Sequence, residues 1–258
     1  MKAEIGIIGG TGLYRLIKGP EITLSTPYGK SPEILLAQIK GRKVAFMPRH
    51  GKGHAVPPHK INFRANIWAF KKLGVERILA VNSVGAINPK YKPGDFVIVN
   101  DFTDFTKQRI GSFYYEKKVI HIDVTEPYCP ELRKILFQSA KKVSERVFDG
   151  GIYVCTEGPR FETSSEIQMF KKLGFDVVGM TGVPEVVLAK EAEMCYATIC
   201  TVTNYSAGLK AKKLTADEVL EVMSHKENQL RVVFENAIEK IPKKRDCPCK
   251  YALEGAKV

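Results

Sequence analysis

The chain has 258 residues, of which 44% are hydrophobic and 26% are charged, and this composition excludes disordered, collagen-like and low-complexity proteins. Forty Lys and Arg against 28 Asp and Glu give a net charge of +12, so nucleic acid and small oxyanions both have to be considered as ligands. No apolar run approaches the roughly 18 residues of a membrane span, and the glycine-broken N-terminus does not fit a signal peptide, so we predict a cytoplasmic protein without a membrane partner.

Short apolar runs alternate with helical patterns along the whole chain. The predicted strands cover residues 4–8, 44–48, 77–81, 95–99, 151–155, 176–180 and 196–203. The predicted helices cover residues 62–73, 164–173, 184–193 and a long segment that begins at the capping box of Thr215 and Glu218 and ends at Pro242. Because strands alternate with helices, the pattern favours an α/β fold whose sheet is covered on both faces.

No linker divides the chain, so we expect one domain over residues 1–241, followed by a basic C-terminal tail at 242–258. The tail contains Cys247-Pro-Cys249 and is expected to be exposed. These thiols could form a strained disulfide, bind a metal, exchange with other thiols or have no role. A zinc site needs about four ligands and no second Cys/His pair with matching spacing is visible, so no metal site is predicted. Three further cysteines lie in apolar segments and are expected to be buried thiols: Cys155, Cys195 and Cys200.

The segments that follow the predicted strands carry the residues with chemistry. Open α/β sheets bind ligands beyond the carboxyl ends of their strands. Six such segments read GGTG, RHGKGH, NSVGA, TEGPRFET, TG and NYSAG. They are rich in glycine, hydroxyl, amide, Arg and His, and their only acids are Glu157 and Glu162. A rim of donors and cations with little negative charge favours an oxyanion such as phosphate.

Two of these segments are candidates for phosphate. The first glycine loop brings backbone N–H groups and the Thr11 hydroxyl close to an anion, although a plain strand-to-helix turn is the alternative. It lacks the third glycine of the dinucleotide fingerprint. Arg49 offers a planar fork matched to phosphate oxygens, with a solvated loop as the alternative. Three His follow within ten residues without a carboxylate or Cys beside them, which argues against a metal: His50, His54 and His59.

Glu162 and Asn204 could recognise a purine base. A carboxylate only accepts hydrogen bonds, whereas an amide both donates and accepts. A 6-oxopurine presents a donor at N1–H and acceptors at O6 and N7, so Glu162 could accept from N1–H while Asn204 donates to O6 or N7. A 6-aminopurine has a bare acceptor at N1, which an ionised Glu162 would repel. The alternative is a surface carboxylate and a turn amide.

The assembled motifs resemble the 5′-methylthioadenosine phosphorylase / purine nucleoside phosphorylase family over residues 5–236. The resemblance lies in IGIIGGTGLY, MPRHGKGH, INFRANIWAFKKLG, NSVGAINPKYKPGDFVIVNDF, TEGPRFET, GMTGVPEVVLAKEAEMCYA and VTNYSAG. It implies a single α/β domain with a central mixed sheet flanked by helices, and a reaction in which a purine nucleoside and phosphate give free purine and a pentose 1-phosphate. It implies a homotrimer or homohexamer, with phosphate as co-substrate and no cofactor. Residues 34–75 contain nine Lys or Arg and no Asp or Glu. A nucleic-acid partner is still not expected, because aromatic residues are not interleaved with this basic stretch as stacking platforms.

The resemblance also assigns roles to individual residues. Those at phosphate-binding positions are Thr11, Arg49, His50, Ser83 and Thr181. Those at ribose- or purine-binding positions are Met180, Glu162, Thr163, Asn204 and Ser206. Those near the 5′ substituent are His54, Ala216, Val219 and, from a neighbouring subunit, His121. The residues expected to take part in catalysis are Asn204, His50 and Arg49.

The chain departs from the methylthioadenosine branch at the base. Members of that branch carry two Asp where this chain has Asn204 and Ser206, and a Ser where it has Glu162. The residues present here resemble the 6-oxopurine branch, whereas Ala216 and Val219 are apolar like a methylthio pocket, which disfavours a 5′ hydroxyl. The combination indicates 5′-methylthioinosine as substrate, with methylthioadenosine or ordinary inosine and guanosine as alternatives.

Overall fold

A computed structural model gives the fold and describes residues 2–9, 19–114, 118–211 and 213–257. The strands are β1 (Ile5–Gly9), β2 (Glu21–Ile22), β3 (Ser25–Thr26), β4 (Gly29–Lys30), β5 (Ile34–Ile39), β6 (Arg42–Pro48), β7 (Arg77–Ala86), β8 (Phe96–Ile98), β9 (Asp101–Phe105), β10 (Val147–Asp149), β11 (Ile152–Thr156), β12 (Val177–Gly179) and β13 (Cys195–Tyr205). The α-helices are α1 (Phe63–Leu73), α2 (Pro130–Ala140), α3 (Ser164–Lys172), α4 (Glu185–Glu191) and α5 (Ala216–Lys240).

The main sheet is mixed. Its strands run in the order β10-β8-β13-β7-β1-β6-β5-β2, and β12 joins it by pairing with β7. Strands β6, β1, β7 and β13 are parallel to one another, whereas β5, β8 and β12 each pair antiparallel with a neighbour in this group. Every residue of β1 is buried, as expected for a strand covered on both faces. The predicted single α/β fold with a central mixed sheet is confirmed.

Helices cover the two faces of the sheet. Phe70 of α1 and Val186 of α4 belong to one buried cluster, while Leu136 of α2 and Phe234 of α5 belong to another. Helix α1 ends where predicted, because Gly74 takes the left-handed conformation with φ of 78° and its N–H satisfies carbonyls of the last turn. Among the described residues, no helix combines the length and apolar character needed to cross a membrane.

The structure corrects the sequence prediction in three respects. It adds strands β2, β3, β4, β5, β9 and β10 and helix α2. Strand β7 extends through the segment 82–86 expected to be a loop, and β13 extends into the segment 204–208. The expectation of an exposed tail is wrong for its two cysteines, because Cys247 and Cys249 are 5% and 8% exposed. They pack into the apolar cluster formed by α2, α5 and β13, so this part of the tail belongs to the core.

Candidate functional site

Two long parallel strands carry both halves of the candidate site. Strand β7 pairs with β13 until Val202 lies opposite Val84, and a bulge then places Asn204 opposite Gly85. Ser83 is the one exposed residue in the otherwise buried β7. A single exposed hydroxyl within an otherwise buried strand is typical of a side chain that faces a cleft.

Asn204 and Ser206 leave hydrogen-bonding groups available at the end of β13. The Asn204 Oδ1 accepts from Thr203 Oγ1 at 2.9 Å, and its Nδ2 donates to the Tyr205 carbonyl at 3.0 Å, which uses one of two N–H groups. The Ser206 hydroxyl is buried and has no hydrogen-bond partner among the described residues. Both polar groups lie above Gly85, where an added Cβ would come within 2.8 Å of Ser206 Oγ and 3.2 Å of Asn204 Nδ2.

Glu162 is a buried carboxylate on the loop that precedes α3. Its Oε1 accepts a hydrogen bond from Thr156 Oγ1 at 2.6 Å. Burial raises the pKa of Glu162, although the Thr156 hydrogen bond opposes the shift. The loop packs against the segment after β13, since a Cβ on Gly208 would lie 2.6 Å from Ser164 Oγ. The fold therefore brings the segments of Glu162 and Asn204 together.

Arg49, at the end of β6, is committed to an ion pair inside the protein. Its Nε and Nη2 donate to the two carboxylate oxygens of Glu185 at 2.7 and 2.6 Å, and its Nη1 donates to the Val81 carbonyl at 3.0 Å. Tyr196 donates a further hydrogen bond to Glu185 at 2.7 Å. Burial alone would lower the pKa of Arg49, but the adjacent carboxylate keeps it raised above its usual value. The fork expected to hold phosphate is thus occupied along its Nε/Nη2 edge.

His50 and His54 stack on each other. Their ring centroids lie 4.0 Å apart with an interplanar angle of 18°. Burial and the neighbouring His54 lower the pKa of His50 to about 3, and burial also lowers the pKa of His54. The Nδ1 of His50 lies 2.8 Å from the Val56 carbonyl, which can only accept, so the neutral ring carries its proton on Nδ1. The Nε2 of His50 is therefore a hydrogen-bond acceptor at neutral pH.

Thr181 is linked to the strands by a buried polar network. Its hydroxyl donates to Asn82 Oδ1 at 2.9 Å, and Asn82 Nδ2 donates to Thr198 Oγ1 at 2.8 Å. The phenol oxygen of Tyr153 accepts from the backbone N–H groups of Thr181 and Gly182 at 3.1 and 3.2 Å. These contacts fix the turn after β12 beside the Ser83 end of β7.

Comparisons with known proteins decide the family. Residues 4–239 match the family model described as the phosphorylase superfamily. The chain belongs to the phosphorylase superfamily. It is 53% identical over 258 residues to a probable S-methyl-5′-thioinosine phosphorylase of Methanothermobacter thermautotrophicus, covering 98% of this chain and 90% of the relative. It is 52% identical to a 6-oxopurine nucleoside phosphorylase of Pyrococcus furiosus, covering 98% of each.

Solved structures give the same answer for the fold. The methylthioadenosine phosphorylase of Schistosoma mansoni in complex with adenine matches with a TM-score of 0.93 and 33% identity, covering 99% of each chain. The predicted resemblance to this family is confirmed, and the chain is an enzyme, a purine nucleoside phosphorylase.

The remaining predicted residues of the phosphorylase have varied surroundings. Thr11 lies outside the described residues. Met180 is half-buried, and its Sδ would lie 2.7 Å from a Cβ added to Gly158. Thr163 is exposed and caps α3, because its Oγ1 accepts from the Glu166 N–H at 3.1 Å. Its assignment to substrate stays a prediction.

The residues assigned to the 5′ end lie at the surface of the phosphorylase. Ala216 is exposed and Val219 half-buried in the first turn of α5, which begins after Thr215 as predicted. His54 is exposed, with φ of 60°. His121 is exposed too, and its backbone N–H donates to the Ala256 carbonyl at 2.8 Å. The structure describes no contact between His121 and the residues around Asn204.

Sequence reasoning missed the groups that hold the predicted site residues in place. These are Asn82, Tyr153, Glu185 and Tyr196. One sequence feature could have revealed Glu185: it is an acidic residue at the start of the largely apolar helix segment EVVLAKE. A fully buried carboxylate needs a cation, and Arg49 is 136 residues away in the chain.

Proposed function

We propose that this phosphorylase prefers 6-oxopurine nucleosides and that 5′-methylthioinosine is its main substrate, giving hypoxanthine and 5-methylthioribose 1-phosphate. The observation that carries the proposal is the buried Glu162 carboxylate on a loop packed against the segment of Asn204 and Ser206. The name of the Methanothermobacter relative supports the same base and the same 5′ group, and the name of the Pyrococcus relative supports the same class of base.

Base recognition follows from which groups donate and which accept. An ionised Glu162 accepts from the N1–H of a 6-oxopurine, and the remaining N–H of Asn204 donates to O6 or N7. The buried Ser206 hydroxyl has no partner among the described residues and can satisfy a further edge atom of the base. A 6-aminopurine would place the bare N1 acceptor against a carboxylate, which leaves a buried charge without a donor.

The phosphate would bind at the Ser83 end of β7. The exposed Ser83 hydroxyl can donate to it, and Thr181 can do so after releasing its bond to Asn82. Two N–H groups of Arg49 remain beyond the three used by Glu185 and Val81. Because His50 is neutral with a bare Nε2, it can accept a hydrogen bond from the P–O–H group of a hydrogen phosphate ion, which would turn an unprotonated phosphate oxygen toward the sugar.

Catalysis would come from stabilising charge at both ends of the breaking bond. Cleavage of an N-glycosidic bond builds positive charge on the sugar and negative charge on the departing purine. Bound phosphate stabilises the first and attacks the anomeric carbon. Asn204 stabilises the second, and its hydrogen bond to O6 or N7 strengthens as charge develops. The proposed chemistry uses no metal and no cofactor.

The 5′ end would favour a thioether over a hydroxyl. Ala216 and Val219 present only methyl groups, so a 5′ hydroxyl placed against them would lose its hydrogen bonds to water without replacement. We also propose that His121 completes this end from a neighbouring subunit of a homotrimer or homohexamer, which is supported by its exposure. We propose a cytoplasmic location, as predicted from the sequence.

Release of purine from four nucleosides in the presence and absence of phosphate tests the proposal. The nucleosides are methylthioinosine, inosine, guanosine and methylthioadenosine. We expect phosphate-dependent release, with kcat/KM for methylthioinosine above that for methylthioadenosine by about 100-fold or more, because the site is built to pair with N1–H. Equal values for the two methylthio nucleosides would contradict the assignment of Glu162.

A base-switched variant sharpens the test. Glu162→Ser combined with Asn204→Asp and Ser206→Asp should move the preference toward methylthioadenosine. The control is Glu166→Gln, a nearby carboxylate change that keeps the side-chain acceptor needed to cap α3. Unchanged preference in the triple variant, or an equal change in the control, would count against base recognition by these residues.

A further inference from the structure

Four cysteines from distant parts of the chain lie together in the apolar cluster formed by α2, α5 and β13. They are Cys129, Cys195, Cys247 and Cys249, and their sulfur atoms all lie within 4.8 Å of one another. All four are buried free thiols. Two of them, Cys195 and Cys247, have sulfurs 3.1 Å apart. The cluster is separate from the candidate active site, since Cys195 begins β13 whereas Asn204 lies near the opposite end of that strand.

The backbone holds each of the four sulfurs in place. Cys129 is the residue before α2, and its N–H donates to the Tyr196 carbonyl at 2.8 Å, which ties it to the start of β13. The Cys195 N–H donates to the Glu76 carbonyl at 2.9 Å. Cys247 is the residue before a short 3-10 helix, and Cys249 lies within that helix on the other side of Pro248. These backbone positions bring the four sulfurs together.

The geometry matches a tetrahedral metal site. Four sulfurs placed about 2.3 Å from one ion lie roughly 3.8 Å from each other, which fits a group whose mutual distances stay within 4.8 Å. Sulfur-only tetrahedral sites select zinc or iron among the common ions, and closed four-thiolate sites are typical of structural zinc. Among the residues that the structure describes, this is the one group of three or more potential ligands close enough to share an ion.

A buried arginine lies on the same face of the sheet as Cys195. Arg77 is the register partner of Cys195 in the parallel β7–β13 pair, so both side chains lie on the same face of the sheet. Arg77 is 2% exposed, and its Nε and Nη2 have no hydrogen-bond partner among the described residues, although Glu76 and Glu131 lie 3.3 and 4.0 Å from the guanidinium. Four thiolates around a divalent ion carry a net charge of −2, whereas two disulfides or four thiols carry none.

We propose that Cys129, Cys195, Cys247 and Cys249 bind one structural zinc ion. This replaces the expectation from sequence that the Cys247-Pro-Cys249 pair has no matching ligands. On binding, each thiol loses its proton to solvent and forms a bond to zinc, with no change of oxidation state. The ion fastens the C-terminal segment to α2 and β13, and through residues 256 and 257 it supports the backbone beside His121.

Metal analysis of the full-length protein tests the site. The protein is purified without chelators, dialysed against metal-free buffer and measured by plasma mass spectrometry together with intact mass under denaturing conditions. We expect one zinc per chain and the mass of six reduced cysteines. The variant Cys247→Ser/Cys249→Ser should lose the zinc, whereas Cys155→Ser, which removes a buried thiol outside the cluster, should keep it.

A second measurement keeps the test decisive if the double variant does not fold. Wild-type protein stripped with chelator and refilled with cobalt(II) should develop the intense visible bands of a tetrahedral cobalt thiolate. Stripping should also increase hydrogen exchange in residues 242–257 more than in α1, which lies on the other face of the sheet. A protein free of metal and lighter by four hydrogens would show two disulfides and overturn the proposal, as would bound iron in place of zinc or metal retained by the double variant.

Discussion

Replacing Glu185 with Gln tests whether the buried ion pair with Arg49 organises the proposed phosphate-binding end of the site. Glu185 is fully buried and accepts three hydrogen bonds, two from Arg49 and one from Tyr196. Gln has one acceptor oxygen and an NH2 group, so one donor of Arg49 would face another donor. The buried guanidinium would then lose both its counter-charge and one hydrogen bond.

The expected loss of stability is large. Removing one partner of a buried pair leaves an uncompensated charge and costs about 3–5 kcal/mol. For a domain of this size each kcal/mol shifts Tm by about 2–4 °C, so a decrease of roughly 6–20 °C is expected. The matched control is Glu166→Gln, which weakens the exposed pair with Arg160 and should cost less than about 1 kcal/mol.

Urea unfolding followed by fluorescence and circular dichroism measures both variants, with the KM for phosphate measured in parallel. We expect Glu185→Gln to raise this KM because Arg49 is no longer held in one orientation. The double variant Arg49→Met/Glu185→Leu should regain much of the lost stability while remaining weak in phosphate binding, since no buried charge is left unpaired. Similar unfolding midpoints for Glu185→Gln and Glu166→Gln would refute the reasoning.

Three further results are expected. Asn204→Ala should lower kcat by about 100-fold or more with little change in the KM for phosphate, because the hydrogen bond of Asn204 to the base strengthens as the purine departs. Steady-state kinetics measure both constants, and an unchanged kcat would exclude this role. Because the pKa of Glu162 is raised, its carboxylate takes up a proton at a higher pH than an ordinary Glu. On acidification, kcat/KM for methylthioinosine should therefore begin to fall above the usual Glu range. The ratio of this kcat/KM to that for methylthioadenosine should fall as well. A pH profile identical in Glu162→Gln would show that another group is responsible. Gly85→Ala should raise the KM for nucleoside but not for phosphate, because the new Cβ meets Ser206 Oγ and Asn204 Nδ2, and an unchanged nucleoside KM would contradict this placement.

Local patterns predicted the elements whose boundaries depend on local chemistry. Gly74 and Gly174 mark the ends of two helices, and Thr215 caps the longest one, since these residues act through their own backbone or the next turn. The ends of β7 and β13 were misjudged because Asn, Ser and Gly are typical of turns. Here the pairing of two buried strands, with a bulge before Asn204, outweighs that preference.

The contacts that complete the sites depend on pairings far apart in the chain. Glu185 is explained only by Arg49, which the β6 strand places beside it. Cys129 and Cys195 are single cysteines in sequence and become neighbours because α2 packs against the start of β13. No spacing rule connects such residues. The sequence therefore marks Cys247 and Cys249 as a closely spaced pair but does not reveal that Cys129 and Cys195 lie beside them.

The bulge between Val202 and Asn204 has a consequence for how substrate range can change in this enzyme. Ser83 lies two residues before Gly85, the partner of Asn204 in the paired strands, so under the proposed function the pairing of β7 with β13 sets the distance from the anion to the departing base. Under the proposed function, evolution can exchange the side chains that face the base while the separation between nucleophile and leaving group stays constant. Relatives with different base preferences can thus share one reaction geometry.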